Sequence, residues 1–371
     1  MSPTRAFFPY INWLQAEGFR HPFSMTASGM SPPDPALLAP ALARGEALDL
    51  APPGLDARPA VEARLAELFG TSPERVLLDQ GASGAMHTIA WTLFPGAHVV
   101  TEVPSYEPFR ALAELYGGSS SFVERPAPGG SEDYLESVRS ALAERGSRPA
   151  HLFLCNPHNP TGHILGAEEI RSLARLAAEA GGLLVMNESY MEFARPADRI
   201  HAFRLAPNAI SLASLTKAYG LGALRTGWLL LGDDALHHRD ALIDRGHLVG
   251  MDPPTPCLRI ARAALDRLGD LLAPLRTLEH RSRPHLERWL RESEFAEGTL
   301  PPLGLCAFPR IRGVEDTRAL TAHLAEAEGV GVVPGEYFAA PGHLRISYAL
   351  PEATLVEALD RLERGIASYL S

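Results

Sequence analysis

The chain has 371 residues, 46% of them hydrophobic and 21% charged, which suits a globular fold with a sizeable core and excludes collagen-like and disordered classes. Basic residues number 34 against 44 acidic ones, a net charge of −10, the wrong sign for a nucleic-acid footprint. No apolar run reaches the roughly 20 residues of a membrane-spanning helix. The start, Met1 to Tyr10, lacks the pattern of a signal peptide, and three scattered cysteines, Cys155, Cys257 and Cys306, argue for free thiols and a cytoplasmic setting.

At 100–200 residues per domain, roughly two or three domains are expected. The first 40 residues are Pro-rich and irregular, a segment expected to pack with a small C-terminal domain. From 41 to 255, short apolar runs at Val76–Leu78, His98–Thr101, His151–Leu154, Leu183–Met186, Ala209–Leu212 and Trp228–Leu231 read as buried strands. Helical patterns alternate with them at Ser83–Phe94, Glu107–Tyr116, Asp133–Glu144 and Ala167–Ala180, while Pro126–Ser131 reads as a surface loop. That alternation predicts an α/β fold: a large domain whose mostly parallel sheet is covered by helices, with ligands at the carboxyl ends of the strands. Asp252–Pro256 punctuates the chain, and 256–371 reads as a smaller α+β domain. It opens on a long helical stretch, Cys257 to Glu292, broken at Pro274 and Pro284. Strands around Leu305–Ile311, Gly331–Pro334 and Leu344–Ala349 follow, with helices at Thr317–Glu328 and Glu352–Ser368.

Of the 34 basic residues, 33 are arginine and one, Lys217, is lysine. Composition bias explains the missing lysines but not the one that remains. Arginine stays protonated, whereas a lysine amine can act as a nucleophile and form a Schiff base. Lys217 lies just past a strand in Ser214-Leu-Thr-Lys-Ala-Tyr-Gly-Leu-Gly-Ala-Leu-Arg225, with hydroxyls at Ser214 and Thr216. This arrangement suits an aldehyde cofactor bearing a phosphate, which Arg225 could grip with two donors; an ordinary loop with a surface lysine is the bland alternative. Other segments also follow strands: Asn156-Pro-His-Asn-Pro-Thr-Gly162, Asn187-Glu-Ser-Tyr190, Gly81-Ala-Ser-Gly84 at a helix start, and Pro104-Ser-Tyr106. Taken singly these are turns, a helix cap and an aromatic. Arg345, in the apolar strand Leu344-Arg-Ile-Ser347, needs an anionic partner if buried, either a protein carboxylate or a substrate's. His158, His163 and His237-His238 read as surface histidines, Cys155 as a small buried hydrophobe, and no Cys/His set has metal-ligand spacing.

In this order the segments resemble the class I/II aminotransferases, fold-type-I enzymes that use pyridoxal 5′-phosphate (PLP); the resemblance runs from about Leu50 to the C-terminus. It implies that Lys217 is the Schiff-base lysine, which also moves the proton between the substrate α-carbon and C4′ of the cofactor. It implies phosphate contacts from Ser214, Arg225, Ala82 and Ser83, with Thr216 beside them, and stacking of Tyr106 on the pyridine ring. Asn159 and Tyr190 would donate to the phenolic oxygen, Arg345 would hold the substrate α-carboxylate, and Gly29, after Ser28, would lend backbone to the substrate pocket. The expected assembly is a homodimer by analogy, and the substrates an amino acid and a 2-oxo acid.

Two departures stand out. The family usually has aspartate where this chain has Asn187. That aspartate keeps the pyridine nitrogen protonated and the ring an electron sink, which a neutral amide does less well. Glu188 is poorly placed to substitute, because strand alternation aims it to the opposite face, and a shared contact of Asn187 and Tyr190 requires the chain to leave strand geometry near Ser189. Near Asp49–Leu55 the family often has a tyrosine that reaches the partner subunit's phosphate, and none occurs between Tyr10 and Tyr106. The reading is therefore a PLP-dependent aminotransferase. The alternatives are a PLP lyase, racemase or capreomycidine-synthase-like cyclase, which Asn187 would favour, and more remotely a non-catalytic PLP or ligand sensor.

Overall fold

The computed structural model describes residues 8–39, 56–125 and 131–371. The Asp49–Leu55 stretch and residues 126–130 of the expected surface loop lie outside them. Seven strands form one sheet: β1 (Val76–Gln80), β2 (His98–Val103), β3 (Ser119–Glu124), β4 (Ala150–Cys155), β5 (Leu184–Asn187), β6 (Ala209–Ser214) and β7 (Thr226–Leu231). Their spatial order is β1-β7-β6-β5-β4-β2-β3. All neighbours run parallel except β7, which is antiparallel to both β1 and β6. The six expected strands are all present. The seventh, β3, is the polar edge strand that opens Ser119-Ser-Ser and buries only alternate side chains along its second half.

The two faces of the sheet follow the period-2 geometry of strands. Phe153, Val185 and Ile210 pack against Ala85, Met86 and Ile89 of the helix Gly81–Leu93 and against Phe109 of the helix Glu107–Tyr116. Their strand neighbours Leu152, Leu154, Leu184 and Met186 face the other way, onto Val138 of the helix Ser131–Ala143 and Ile170 and Leu173 of the helix Ala167–Glu179. A layer of helices thus covers each face, and the carboxyl ends of the parallel strands are left free for ligands.

The C-terminal part builds an antiparallel three-stranded sheet from Cys306–Ala307, Leu344–Ser347 and Val333–Pro334, backed by helices Thr317–Glu328 and Glu352–Leu370. The stretch expected as one strand at Leu305–Ile311 is two: Arg310–Ile311 turns away to pair with Ala296–Glu297. Pro274 and Pro284 open the helices Ala273–Arg281 and Arg283–Glu292, where a missing N–H costs nothing. The long helical stretch also breaks after Leu265, without a proline. The N-terminal segment is more regular than expected: Pro9–Trp13 is helical and continues as a wider turn to Gly18. Phe23–Ser24 then pairs in parallel with Val330–Gly331, and Met30 N–H donates to the carbonyl of Lys217 at 2.7 Å. This segment therefore touches both the C-terminal layer and the end of the large sheet.

Candidate active site

The carboxyl ends of β1, β2, β4, β5 and β6 converge on a cavity of about 770 Å³. All twelve residues singled out in the sequence line it: Gly29, Ala82, Ser83, Tyr106, Asn159, Asn187, Tyr190, Ser214, Thr216, Lys217, Arg225 and Arg345. Each parallel strand delivers its residues from the loop after its end, and Arg225 joins because β7 runs the other way and starts at that edge.

Lys217 sits on the cavity wall beyond β6, its Nζ donating to Ser28 Oγ at 2.9 Å and lying 5.9 Å from the centre of the Tyr190 ring. Burial and the nearby Arg345 guanidinium lower the amine from its ordinary value to about 8, so a substantial neutral fraction exists near neutrality. Packing here is close: a Cβ on Gly29 would lie 3.0 Å from the Lys217 carbonyl oxygen, so a side chain there would press on the Lys217 backbone.

Arg225 takes a left-handed conformation (φ 48°) that turns the chain into β7. Its guanidinium donates to the Gln80 carbonyl at 3.0 Å, beside the first turn of the helix Gly81–Leu93. Gly81 there has φ +70°, and a Cβ on it would meet that guanidinium at 2.8 Å. Free N–H groups of a helix start, the Ser83 hydroxyl and an exposed guanidinium together form an anion seat. Ser214 Oγ accepts from the Thr216 N–H at 3.3 Å on the same side.

Arg345 is buried to 2% exposure. It donates to Tyr10 Oη at 2.7 Å, to the Thr26 carbonyl at 2.9 Å and to Asn159 Oδ1 at 3.3 Å, while its Nε has no partner. Among the described residues, none of these hydrogen-bond partners is a carboxylate. A buried guanidinium without a counter-ion is costly and calls for an anion. Tyr190 Oη is likewise buried without a partner, and burial pushes this phenol well above its ordinary value. The phenol thus stays protonated in the cavity, with Ser28 acting on it from nearby.

Asn187 is the last residue of β5, on the face toward the helix Gly81–Leu93. Its Nδ2 reaches only Met86 Sδ, at 3.4 Å, and its Oδ1 accepts from the Ser189 N–H at 3.0 Å. The strand ends there, and the turn that follows carries Tyr190 into the same cavity, as their joint contact required. Glu188 points away and is fully engaged: it accepts from Ala202 N and Ser211 Oγ at 2.7 Å and contacts His201 Nδ1 at 2.6 Å. It does not replace the missing aspartate.

One expectation is corrected. His158 is buried, not on the surface. Its Nδ1 lies 2.7 Å from Thr161 Oγ1 and its Nε2 3.9 Å from Glu102, and burial lowers it to about 3. Burial opposes the Glu102 charge most strongly, but the Arg125 guanidinium, His158 and the Tyr134 hydroxyl together hold the carboxyl below its usual range. Arg125 also donates to Asn156 Oδ1 at 3.4 Å and to the His163 carbonyl at 3.3 Å, so this buried pair anchors the loop that carries Asn159. Cys155 is a buried free thiol, pushed up to about 12. Among the described residues, no group of three or more His, Cys, Asp or Glu could hold a metal, and no helix is long and apolar enough to cross a membrane. Sequence reasoning missed Tyr10, Thr26 and the Ser28 side chain, which touch Arg345 and Lys217 from residues distant in the chain and carry no local motif.

A lysine amine, an anion seat, an aromatic face at Tyr106 and a buried guanidinium whose Nε has no partner, around one cavity, fit PLP and an amino-acid carboxylate. Fold and site thus define a fold-type-I PLP enzyme. The chain belongs to the family described as aminotransferase class I and II, whose sequence model matches residues 48–362 and whose members use PLP. It is 28% identical over 314 residues to an aspartate aminotransferase of Streptomyces avermitilis, covering 80% of this chain and 75% of that one. It is also 28% identical to a capreomycidine synthase of Streptomyces vinaceus, over 73% of this chain and 67% of that one. A crystal structure of a PLP-dependent aminotransferase from Streptococcus suis shares the fold, with a TM-score of 0.86 at 22% identity, covering 100% of this chain and 99% of that one.

Proposed function

We propose that this aminotransferase moves an amino group between an amino acid and a 2-oxo acid with the twelve cavity residues in the following roles. When bound, PLP supplies an aldehyde that holds the amino group and a ring that withdraws electrons from the α-carbon. Arg225, Ser214, Ser83 and the Ala82 N–H would hold its phosphate, with Thr216 beside them. Tyr106 would stack on the ring, Asn187 would meet its nitrogen, and Asn159 and Tyr190 would donate to its phenolic oxygen. Arg345 grips the substrate carboxylate while Gly29 lets the N-terminal backbone close over it. Lys217 Nζ would carry the cofactor and, as a neutral amine, would take up the α-proton of the substrate. The observation that carries the reading is Lys217, a neutral-capable amine sharing a cavity with the buried Arg345 guanidinium, whose Nε has no partner.

The test uses the single lysine. In the cofactor-free protein, modification of position 217 by an amine reagent, followed by peptide mapping, rises with pH through about 8, because only the deprotonated amine reacts. Ser28→Ala moves that midpoint about one pH unit lower, since the hydroxyl that accepts from the ammonium is gone. A midpoint near that of an ordinary lysine would remove the basis of the assignment.

A division into an N-terminal segment (1–40), a large domain (41–255) and a small domain (256–371) belongs to this proposal, supported by the pairing of Phe23–Ser24 with Val330–Gly331. So do a homodimer and a cytoplasmic location. Leu248, Val249 and Met251 offer an exposed apolar face, and all three cysteines are free. One observation favours a second reading, a non-transaminating PLP reaction on an amino acid: the neutral amide of Asn187 where the ring nitrogen would lie.

A further inference from the structure

The cavity holds more room and more apolar wall than the twelve residues account for. Its charged lining consists, among the described residues, of three cations: Lys217, Arg225 and Arg345. No aspartate, glutamate or histidine lines it. In the proposed function each cation has a partner: Lys217 the cofactor aldehyde, Arg225 its phosphate, Arg345 the substrate α-carboxylate. Among the described residues, no lining cation remains for a second carboxylate.

Beyond the polar groups that hold Arg345, one stretch of the cavity wall is apolar. Tyr10, which accepts from Arg345, lies on the helical segment Pro9–Gly18. One and four residues on, Ile11 and Leu14 line the same cavity, as does Phe19 just after that segment. The spacing from Tyr10 to Leu14 puts both on one helical face. Met30 and Leu38 extend this wall from the N-terminal segment, and Ile260 meets them from the helix Thr255–Leu265. Phe19 is 58% exposed at the cavity rim, an apolar ring that gains from being covered.

We infer that the amino donor carries an apolar side chain, aromatic or branched aliphatic, seated against the Ile11–Leu14–Phe19 face of the N-terminal segment and Ile260. The inference rests on the transamination reading for the position of the α-carboxylate at Arg345. A side-chain carboxylate placed here would lose its water without gaining a counter-ion, whereas an apolar one gains by burial. Discrimination by unpaired charge is stronger than discrimination by a methylene.

The full-length protein loaded with PLP is mixed separately with L-phenylalanine, L-leucine, L-alanine, L-aspartate and L-glutamate, and loss of the cofactor's visible absorbance is followed against concentration. Phenylalanine or leucine is expected to react at least about tenfold more efficiently than aspartate and glutamate. Equal or better conversion of either acidic donor would overturn the inference. The same protein is titrated calorimetrically with 3-phenylpropionate and with succinate, which share one carboxylate and differ at the other end. At least about tenfold tighter binding of 3-phenylpropionate is expected, and tighter succinate binding would overturn the inference even if no donor is converted. Failure of all five donors with 3-phenylpropionate still preferred would sink the transamination reading and leave the apolar subsite standing.

Discussion

Lys217→Ala abolishes covalent capture of PLP and lowers amino-group transfer by at least about three to four orders of magnitude, the range lost with a general base and more when the covalent anchor goes with it. The chain offers no substitute, because its other basic side chains are arginines, which do not give up a proton. Borohydride reduction of the loaded wild-type protein should fix the cofactor on one peptide, the one containing Lys217, and on none in the variant. Phosphate contacts at Arg225 and the helix Gly81–Leu93 do not involve the amine, so the variant should still bind PLP reversibly. The fold should survive as well: Lys217 Nζ makes one side-chain hydrogen bond, to Ser28, and its backbone carbonyl, which holds Met30, is untouched. Reduction that labels another residue, or unimpaired transfer by the variant, would overturn the assignment.

Much of the architecture could be read from the sequence, and the reasons are local. β4, β6 and β7 bury all six of their residues, so they appear as mostly apolar runs, broken only by residues such as His151, Ser211 and Thr226. β3 was invisible for the converse reason: an edge strand needs only half its side chains buried, and Ser119–Ser121 give no apolar signal. Lys217 was legible because composition isolated it, and most of the other cavity residues because they lie at or just past the end of a strand that could be placed. The contacts that complete the site were not legible. Tyr10 reaches Arg345 across 335 residues of sequence. Similarly, His158 is buried because Glu102 and Arg125, from the ends of β2 and β3, close over the loop that carries it. Periodicity reports which face of an element is buried; it does not report which distant element comes to cover it.

Asn187→Asp is expected to raise transamination by roughly ten- to a hundredfold while weakening the cofactor-free protein. Both effects have one cause. In the cofactor-free protein the amide nitrogen faces the Met86 sulfur, a weak acceptor, and the oxygen is held by the Ser189 N–H. A carboxylate there keeps the Ser189 contact but leaves its second oxygen buried against a thioether, a cost of about 1–3 kcal/mol. Denaturant unfolding without PLP should register that loss. With PLP bound, the same oxygen meets the ring nitrogen and favours its protonated form, and a charge-assisted bond is roughly twice as strong as the neutral one it replaces. Each 1.36 kcal/mol gained at the α-carbon is about a tenfold rate. Glu188 cannot already supply this charge, because Ala202, Ser211 and His201 hold its carboxylate on the opposite face of the strand end. The variant therefore separates the two functional readings. A faster amino transfer means that Asn187 restrains an otherwise ordinary aminotransferase site. Slower transfer with PLP still bound means that the neutral amide is matched to a reaction in which the ring need not draw a full charge, and the non-transaminating reading takes precedence.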